Sequence, residues 1–471
     1  MNVTKDRLEN RQLWKEEYPR MVPAEQGEQG GVFYCRRIAE NNHIIADTQD
    51  KQMLERILDK DNLNRAYKKV KANNGAGGID GLGVGDMLPY LREHGTELIQ
   101  QIRDGKYKPN PVRRVEIPKE EKGKVRKLGI PTVVDRLVQQ AVAQELTPIY
   151  EKQFSDNSYG FRPGRGQHDA LRKCREYIDS GYVYVVSMDL EKFFDTVSHS
   201  KLIEVLSRTI KDGRVISLIH KYLNAGAMTG GAFEMTTEGV PQGGPLSPLL
   251  GNVMLNELDK ELEHRQHRYV RFADDCMIFC KSRRAAQRTM ENIIPFIEKK
   301  LFLKVNRDKT TVDSITEVKY LGYAFGIKDG KGWFRVHPKS VAKMRKRIRE
   351  LTHKNKGWSN DSRKVKLKQY ITGWINYFKL ARMERLMRDT DGWMRRRIRA
   401  MYWKQWKHTR TKYRNLRALR IPEKLVHNLA NSRKGYWRMA KALNNVLTLD
   451  VLHRRLGYPS MLTYYKSVCE N

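Results

Sequence analysis

Two apolar segments near the middle of the chain carry carboxylates where a buried strand normally excludes charge. The first, residues 182–190, is a β-branched run of strand type that closes on Asp189. The second, residues 269–279, has two apolar runs flanking Asp274 and Asp275, which predicts a hairpin with both aspartates at or near its turn. A carboxylate at the end of a buried strand is costly unless it is paired or binds a cation. The fold must therefore bring an acidic site to the end of a sheet.

Adjacent acids beside an apolar sheet repel each other, and a hard divalent cation with oxygen ligands relieves that repulsion. Asp189 and Asp274 would then share two metal ions that hold an attacking and a leaving oxygen. This pattern indicates two-metal phosphoryl transfer on a polynucleotide. The ordinary alternatives are a helix N-cap at Asp189, although Asp195 and Ser198 are better placed for capping, and an acidic turn without function at 274–275.

The net charge of +36 over 471 residues indicates a polyanionic partner, and it is unevenly distributed. Residues 331–471 hold 37 Lys and Arg against 8 Asp and Glu, a net of +29, whereas residues 1–330 have a net of +7. The chain therefore divides near residue 330 into a nearly balanced body and a basic C-terminal third. Charge alone does not separate a passive nucleic-acid binder from an enzyme.

The basic third has helical periodicity. In 340–351 the apolar residues recur at helical spacing while the opposite face is basic, and 369–380 and 393–406 follow the same pattern. Its aromatic residues offer either core packing or stacking surfaces for bases. The arginines we expect to contact nucleic acid are Arg345, Arg347, Arg349, Arg395, Arg396 and Arg397.

Other features narrow the class of protein. The N-terminus has no apolar signal region, and no window of about 18 apolar residues predicts a membrane span. The five cysteines form no disulfide framework and no Cys-x-x-Cys pair, so a reducing, intracellular compartment fits best. Cys276 and Cys280 are expected to be buried thiols of one strand. The Gly-rich segment 73–81 lacks the ending of a phosphate-binding loop.

An ordered set of motifs resembles one known family. The motifs are Met188-Asp-Leu190, Phe193-Phe-Asp195, Gly239-Val-Pro-Gln-Gly-Gly-Pro-Leu-Ser-Pro248, Phe272-Ala-Asp-Asp275, Val305-Asn306 with Lys309, and Tyr320-Leu-Gly322. Upstream, 158–163 and 113–119 fit the same pattern, and downstream so does Gly373-Trp-Ile-Asn-Tyr-Phe378. Together they resemble the reverse transcriptases and maturases encoded by bacterial group II introns, of the compact type without an endonuclease.

The resemblance implies an α+β fold, a right-hand polymerase of fingers and palm with an antiparallel sheet, followed by an all-α basic thumb. The implied spans are an extension of unknown role at 1–50, fingers and palm at 51–330, a maturase or thumb domain at 331–412, and a DNA-binding segment at 413–471. The implied activity is RNA-directed DNA synthesis with two Mg²⁺ ions, together with splicing and mobility (retrohoming) of the intron. The implied partners are group II intron RNA, an RNA template with a DNA primer, target DNA and dNTPs, in the cytoplasm of a bacterial host and without a membrane.

The resemblance also assigns site residues. Asp189, Asp274 and the Leu190 carbonyl are the expected Mg²⁺ ligands, and Asp275 is the supporting acid of the metal site. Lys309 corresponds to a general acid near the leaving pyrophosphate. The expected substrate contacts are Lys119 and Arg126 on the triphosphate, with Lys122 and Lys124 as alternatives to Lys119, Phe194 against the ribose 2′-position, and Gln242 under the nucleotide. The alternative role for Phe194 is core packing.

Two other functions remain open from the sequence. One is a domesticated reverse transcriptase, for example in phage defence; the other is a maturase that only binds RNA during splicing. The intact Asp189, Asp274 and Asp275 argue against a maturase that only binds RNA. The basic segment after 330 argues against a domesticated reverse transcriptase. Because no His-Asn-His endonuclease pattern follows the thumb region, we expect no second-strand DNA cleavage.

Overall fold

The computed structural model describes residues 52–118, 123 and 125–469. The predicted N-terminal extension, residues 1–50, lies outside the described residues. Three of the predicted triphosphate contacts also lie outside them: Lys119, Lys122 and Lys124.

The chain divides into two compact units. The first contains the described residues up to 174 together with 184–312, and the second contains 175–183 and the residues from 313 onward. The change in charge near residue 330 falls inside the second unit.

Among its described residues, the first unit contains two four-stranded sheets and most of the helices before residue 300. Its helices are α1 (Met53–Ile57), α2 (Lys60–Asn73), α3 (Met87–Arg103), α4 (Val133–Glu151), α5 (Gln167–Asp179, whose last turns belong to the second unit), α6 (Phe193–Thr196), α7 (His199–Thr209), α8 (Gly213–Leu223), α9 (Ser247–His264) and α10 (Arg283–Lys299). Its strands are β1 (Val112–Pro118), β2 (Val125–Ile130), β3 (Tyr184–Met188), β4 (Ala227–Thr229), β5 (Ala232–Glu234), β6 (Arg268–Phe272), β7 (Asp275–Cys280) and β8 (Thr311–Ser314, whose last two residues belong to the second unit). The sheet orders are β2-β1-β4-β5 and β6-β7-β3-β8.

The second sheet positions the acidic residues. β3 pairs antiparallel with β7, and β7 pairs antiparallel with β6. Val185, Val186 and Met188 of β3 are buried, as are all residues of β7 except Asp275. The β-branched run at 182–190 and the apolar runs at 269–279 therefore form the strands that their composition predicts. In the other sheet, β1 and β2 also pair antiparallel.

Local signals at helix ends explain why the helices begin where they do. Asp59 accepts hydrogen bonds from the amides of Asp61 and Asn62 at the start of α2. Thr132 accepts from the Asp135 amide at the start of α4, and Ser198 accepts from the Lys201 amide at the start of α7. These are the side-chain oxygens that satisfy the otherwise unpaired amides of a first helical turn.

The second unit contains a small sheet and a run of helices. Its strands are β9 (Lys319–Tyr320), β10 (Tyr323–Lys328) and β11 (Lys331–Val336), in the order β11-β10-β9. Its α-helices are α11 (Pro338–Leu351), α12 (Asn360–Phe378), α13 (Glu384–Gln405), α14 (Thr409–Ala418), α15 (Glu423–Ala430), α16 (Tyr436–Ala442) and α17 (Met461–Cys469), with one 3₁₀ turn, Leu443–Asn445, and one π turn, Val451–Arg455.

The β10–β11 hairpin turns at Asp329 and Gly330, both with positive φ (53° and 73°). A two-residue turn with positive φ at both positions matches the twist of the strands, and Asp-Gly is a preferred sequence for it. The Tyr323 hydroxyl of β10 donates to the Tyr377 carbonyl of α12 at 2.5 Å. The hairpin and α12 therefore belong to one packed unit.

The helices predicted in the basic third are all present. In α11, Met344, Ile348 and Leu351 are buried, whereas the basic side chains of the opposite face are exposed. The predicted segments 369–380 and 393–406 lie almost entirely within α12 and α13. The buried carboxylate of Asp391 in α13 accepts from the amides of Met461 and Leu462, which joins the start of α17 to α13. The predicted α+β class, with antiparallel pairing in its second sheet and a helical C-terminal region, is confirmed.

Each described cysteine is a free thiol. Cys174, Cys276 and Cys280 are buried and Cys469 is exposed, so Cys276 and Cys280 are the buried thiols of one strand that the sequence predicts. Within the described ranges, none of the helices has the length and apolar content needed to cross a membrane.

Candidate active site

The turn between β6 and β7 presents the acidic pair. Phe272 pairs with Asp275, which leaves Ala273 and Asp274 to make the turn. Ala273 has a φ of 56°, a left-handed conformation that a residue with a Cβ adopts only at some strain. Asp274 follows it and is mostly buried, while Asp275 begins β7 with an exposed side chain. The predicted hairpin with its aspartates at the turn is confirmed.

Asp189 reaches the same end of the sheet through strand register. Met188 pairs with Cys276, so Asp189, one residue further along β3, comes to the level of Asp275. A second segment then fixes the backbone of Asp189. The Asn306 amide donates to the Asp189 carbonyl at 2.9 Å, and the Asp189 amide donates to the Thr310 hydroxyl at 3.3 Å.

The segment that contains the Val305-Asn306 motif pairs with residues 189–191 without using the Leu190 carbonyl. Leu190 and Val305 form an antiparallel bridge. The two hydrogen bonds that flank this bridge run from the Glu191 amide to Lys304 and from the Asn306 amide to Asp189. In this pattern the bonds use the neighbours of the bridged pair. The pairing therefore does not consume the Leu190 carbonyl, which the resemblance assigns to a metal.

The charges at the site are incompletely balanced. Burial raises the pKa of Asp274; a hydrogen bond from its own amide offsets part of that rise, and the nearby charge of Asp189 adds to it. The charge of Arg126 acts in the opposite direction, which brings the predicted triphosphate contact of β2 into electrostatic range of Asp274. The Lys309 ammonium lies 3.8 Å from an Asp189 carboxylate oxygen. Asp189, Asp274, Arg126 and Lys309 therefore belong to one site.

A buried arginine, Arg271, holds the turn between β6 and β7 in place. Arg271 and Asp259 are both completely buried, and the guanidinium donates Nε to one oxygen of Asp259 at 2.8 Å and Nη2 to the other at 2.5 Å. Its Nη1 donates to the Ala273 carbonyl at 3.0 Å and to the Asn252 side-chain oxygen at 3.1 Å. This bidentate ion pair ties α9 to the backbone of the acidic turn.

The segment 157–160 supports the turn from another side. The Arg271 amide donates to the Asn157 carbonyl and the Tyr159 amide donates to the Arg271 carbonyl, each at 2.9 Å. Gly160 then lies so close that a Cβ added to it would be 2.3 Å from the Ala273 nitrogen. Only glycine allows this approach of two backbones, which explains the glycine of the Ser158–Pro163 motif.

The Gly239–Pro248 segment packs on β2 and on α6. The Gly129 amide donates to the Gln242 carbonyl at 2.7 Å, and Gly243, with a φ of 130°, would bring a Cβ to 2.4 Å from the Gly129 carbonyl oxygen. The Val240 amide donates to the Phe194 carbonyl at 2.6 Å. Gln242 and Phe194 therefore lie on one continuous backbone network.

The Phe194 ring has both a packed side and an accessible side. It lies over Gly251 of α9 and makes an edge contact with Phe193 at 5.0 Å between ring centroids. Phe193 is buried, whereas Phe194 is half-buried. The packing role and the substrate role are thus compatible for this ring.

The arginines predicted to contact nucleic acid fall into two groups in the second unit. Arg345, Arg347 and Arg349 are exposed on α11, although Arg347 also pairs with Glu350 at 2.9 Å. Arg395, Arg396 and Arg397 of α13 are only partly exposed. Arg397 donates to the Thr352 hydroxyl at 2.7 Å, and Arg396 covers the Trp437 ring at 4.2 Å, so both also hold the unit together.

The donor set at the acidic turn suits a hard cation. Within the described ranges, no three His, Cys, Asp or Glu side chains converge as a metal-binding group. The site instead offers two carboxylates in electrostatic contact, Asp189 and Asp274, and the nearby Leu190 carbonyl. All of these donors are oxygens, as Mg²⁺ prefers, and water and substrate phosphates commonly complete its coordination. The repulsion between the two carboxylates would be relieved by such an ion.

The sequence did not identify the supporting residues Arg271, Asp259, Asn252 and Gly160. One signal was present, because an arginine between the apolar residues Val270 and Phe272 of a buried strand requires a buried partner. Asp259 and Asn252 fall on one face of α9 at a spacing of seven residues, but nothing local connects them to that arginine.

Comparison with known proteins gives two family matches. Residues 117–325 match the family described as reverse transcriptase (RNA-dependent DNA polymerase). Residues 341–419 match the group II intron, maturase-specific domain. The matched ranges contain Asp189, Asp274, Asp275 and Lys309 in the first case and all six predicted arginines in the second.

The individual relatives agree with these matches. The chain is 33% identical to protein YkfC of Escherichia coli over 306 residues, which cover 56% of this chain and 80% of YkfC. It is 31% identical to the group II intron-encoded protein LtrA of Lactococcus lactis over 360 residues, covering 62% of this chain and 59% of LtrA. It is 35% identical to a putative COX1/OXI3 intron 2 protein of Saccharomyces cerevisiae over 233 residues, covering 49% of this chain and 27% of that protein.

The raised pKa of Asp274 leads to a stability prediction for the metal-free protein. The folded state binds the Asp274 proton more tightly than the unfolded state, so stability from this group is lost as pH rises through its raised pKa. Asp274→Asn should therefore increase the free energy of unfolding at neutral pH, and the gain should shrink as pH falls toward 3.8, the ordinary value for the group. Urea unfolding in the presence of a chelator at a series of pH values measures this.

The matched control for this experiment is Asp308→Asn, which removes an exposed carboxylate of the same unit. It should change stability little at any pH. A gain for Asp274→Asn that is independent of pH, or a loss at neutral pH, would contradict the electrostatic explanation.

Proposed function

Because the chain belongs to the family of group II intron-encoded reverse transcriptases and maturases, we propose that it copies an RNA template into DNA from a primer 3′-hydroxyl and binds its intron RNA to assist splicing and retrohoming. The observation that carries the polymerase part is the convergence of Asp189, Asp274 and Lys309 at one end of the β6-β7-β3-β8 sheet. Its relatives in E. coli and L. lactis favour action in the cytoplasm of a bacterial cell.

The reaction breaks the primer 3′-O–H bond, whose proton leaves to water, and forms a bond between the 3′-oxygen and the α-phosphorus of a dNTP. The bond from that phosphorus to the bridging oxygen of the β-phosphate breaks, and pyrophosphate leaves. Asp189 and Asp274 would hold two Mg²⁺ ions with the Leu190 carbonyl, and Asp275 would support that set. When bound, these ions supply charge neutralisation of the triphosphate and activation of the attacking oxygen. The protein itself contributes positioning and a fixed electrostatic environment.

Lys309 is the proposed general acid. Its ammonium lies 3.8 Å from Asp189, in a partly exposed position that a triphosphate can reach. A proton held at the Lys309 Nζ can pass to the leaving pyrophosphate as the phosphorus–oxygen bond breaks, which lowers the charge that develops on the leaving group. The contact with Asp189 keeps the ammonium directed toward the reacting centre.

The nucleotide would lie between β2, α6 and the Gly239–Pro248 segment. Arg126, which acts electrostatically on Asp274, is the proposed contact to the triphosphate, together with Lys119. The close packing of Gly243 on Gly129 supports a floor at Gln242 that admits the nucleotide. The accessible side of the Phe194 ring would then exclude a ribose 2′-hydroxyl.

The remaining function is assigned to the basic helices. We propose that 51–330 act as fingers and palm, 331–412 as the thumb or maturase domain that binds intron RNA, and 413–471 as a DNA-binding segment. The exposed face of α11 supports this assignment, because it presents Arg345, Arg347 and Arg349 opposite a buried apolar stripe. Phosphate contacts by such side chains provide affinity for RNA without reading its sequence.

The polymerase proposal predicts a selective loss of activity. Asp274→Ala should reduce extension of a DNA primer on an RNA template by at least about a thousand-fold, since metal-assisted charge stabilisation contributes several kcal/mol to such reactions. Binding of the same labelled primer–template should persist. Asp308→Ala is the control and should retain extension; an equal loss of extension and binding by Asp274→Ala would indicate damaged folding and contradict the assignment.

The proposed exclusion of the ribose 2′-hydroxyl by Phe194 predicts a change in the choice between dNTP and rNTP. Phe194→Ala should raise the kcat/KM for rNTP relative to dNTP by about 10-fold or more, because a steric barrier to the 2′-hydroxyl is removed. Phe193→Leu, a change in the buried neighbour, should leave the ratio close to that of the unchanged protein. If Phe194→Ala lowers both values in proportion, the ring serves packing alone.

The RNA-binding proposal predicts a change in salt dependence. Replacing Arg345 and Arg347 together by Ala should weaken binding to a group II intron RNA and reduce the slope of log affinity against log salt by about 2. Arg283 and Arg284, exposed arginines of the first unit, provide the matched double-Ala control with a preserved slope. An unchanged slope for the first pair would remove α11 from the RNA interface.

The intron assignment itself is tested by the DNA that flanks the gene. A catalytic intron RNA encoded around the reading frame is expected. A gene without such an RNA would favour a domesticated reverse transcriptase, and RNA-stimulated splicing without any primer extension would favour a splicing-only maturase.

A further inference from the structure

A cavity of about 250 Å³ opens in the second unit between the end of α11, the middle of α13 and the start of α16. Its lining combines cationic and aromatic side chains: Arg349, Thr352, His353, Lys354, Arg397, Ala400, Tyr436 and Trp437. None of the described residues that line it carries a carboxylate. The cavity therefore favours a ligand with negative charge and a flat ring.

The two aromatic rings are exposed but held in place. Tyr436 and Trp437 are 42% and 43% exposed, although most aromatic residues of the second unit are at least half-buried. The Arg396 guanidinium carbon lies 4.2 Å from the centre of the Trp437 ring, and the Lys354 ammonium lies 4.7 Å from the centre of the Tyr436 ring. These cation–π contacts hold the rings while leaving much of their surface open.

The cationic side chains of the cavity are also held in place before a ligand binds. Arg397 donates to the Thr352 hydroxyl at 2.7 Å and to the Arg349 carbonyl at 3.1 Å. Burial lowers the pKa of Arg397, and the nearby charge of Arg349 lowers it further. Two arginines held close together without a facing carboxylate form a site that an anion would stabilise.

We infer that this cavity binds one unstacked nucleotide of a single-stranded nucleic acid, with its base against Trp437 and Tyr436 and its phosphate at Arg349, Lys354 and Arg397. Small-molecule sites usually span about 300–1,000 Å³, so this cavity suits a single base better than an intact dinucleotide cofactor. Unpaired bases of loops and bulges are recognised by stacking on aromatic rings and arginine planes.

This inference goes beyond the general binding of RNA by the basic helices. Phosphate contacts along α11 would hold paired and unpaired nucleic acid alike, because both carry the same backbone charge. The cavity instead requires a base that has left its stack. The protein would therefore distinguish a bulge, loop or single strand from a continuous duplex at this position.

The two parts of the site respond differently to salt. Stacking is largely independent of salt, whereas each phosphate contact contributes to the slope of log affinity against log salt. At high salt, Trp437→Ala in the full chain should weaken binding of a labelled single-stranded RNA oligomer by about 10-fold, with an unchanged slope. Trp437→Phe, which keeps a ring, should restore most of the affinity. Arg349→Gln should instead reduce the slope by about 1.

The control is Phe302→Ala. The Phe302 ring is an exposed aromatic ring of the first unit, and it does not line the cavity. This variant should bind the RNA oligomer like the unchanged protein. Thermal unfolding of each variant should show one cooperative transition, and Trp437→Phe, which keeps a ring beside Arg396, separates the loss of stacking from a loss of packing.

Parallel titrations with a single-stranded DNA oligomer and a blunt RNA duplex identify the ligand. A loss for Trp437→Ala on RNA alone assigns the cavity to RNA, and a loss on both single strands assigns it to an unstacked base of either type; both support the inference. Wild-type affinity of Trp437→Ala at high salt, an equal loss on the duplex, or an equal loss for Phe302→Ala would overturn it. None of these measurements depends on polymerase activity, so they stand or fall separately from the proposed enzyme.

Discussion

The acidic turn depends on the completely buried ion pair between Arg271 and Asp259. Arg271 directs every side-chain nitrogen to a partner: two to Asp259, and the third to both Asn252 and the carbonyl of Ala273. Burying two charges is expensive, and such a pair often contributes little net stability, but removing one partner costs about 3–5 kcal/mol. Its value here lies in specificity. The pair fixes the position of α9 and of the strained Ala273, and thereby determines where Asp274 lies.

A second constraint is the balance of charge at this end of the sheet. The first unit concentrates Asp189 and Asp274 there, and burial raises the pKa of Asp274 as its neighbour adds repulsion. The same carboxylates that destabilise the metal-free fold are the oxygen donors that a divalent cation would need. The basic helices follow the opposite rule, because their arginines are exposed and can attract the phosphates of a nucleic acid. In the proposed function, the largely buried carboxylates serve the reaction and the exposed arginines bind the nucleic-acid backbone.

The sequence predicted a large part of this arrangement. The two apolar runs, the hairpin at 269–279 and the amphipathic α11 follow from local patterns that the structure confirms. The roles of Arg126, Lys309 and Phe194 came from motif resemblance, and the structure brings Arg126 and Lys309 into electrostatic contact with the aspartates. The support by Asn252, Asp259 and Gly160 is not visible in any local pattern. Asp259 and Asn252 contact Arg271 from a different element, α9, 12 and 19 positions earlier, and Gly160 approaches Ala273 from a segment more than 100 positions away.

The sequence by itself determined which residues end the strands, where charge accumulates, and which helix faces are apolar, since each of these depends on the period of neighbouring side chains. The tertiary structure decided what those residues meet. Strand register brings Asp189 close to Asp274. Packing leaves Arg395, Arg396 and Arg397 of α13 only partly exposed, and it brings Arg349, Arg397 and Trp437 together around one cavity. Such contacts join positions far apart in sequence, and no local pattern encodes them because their energies arise only when burial removes water from both partners.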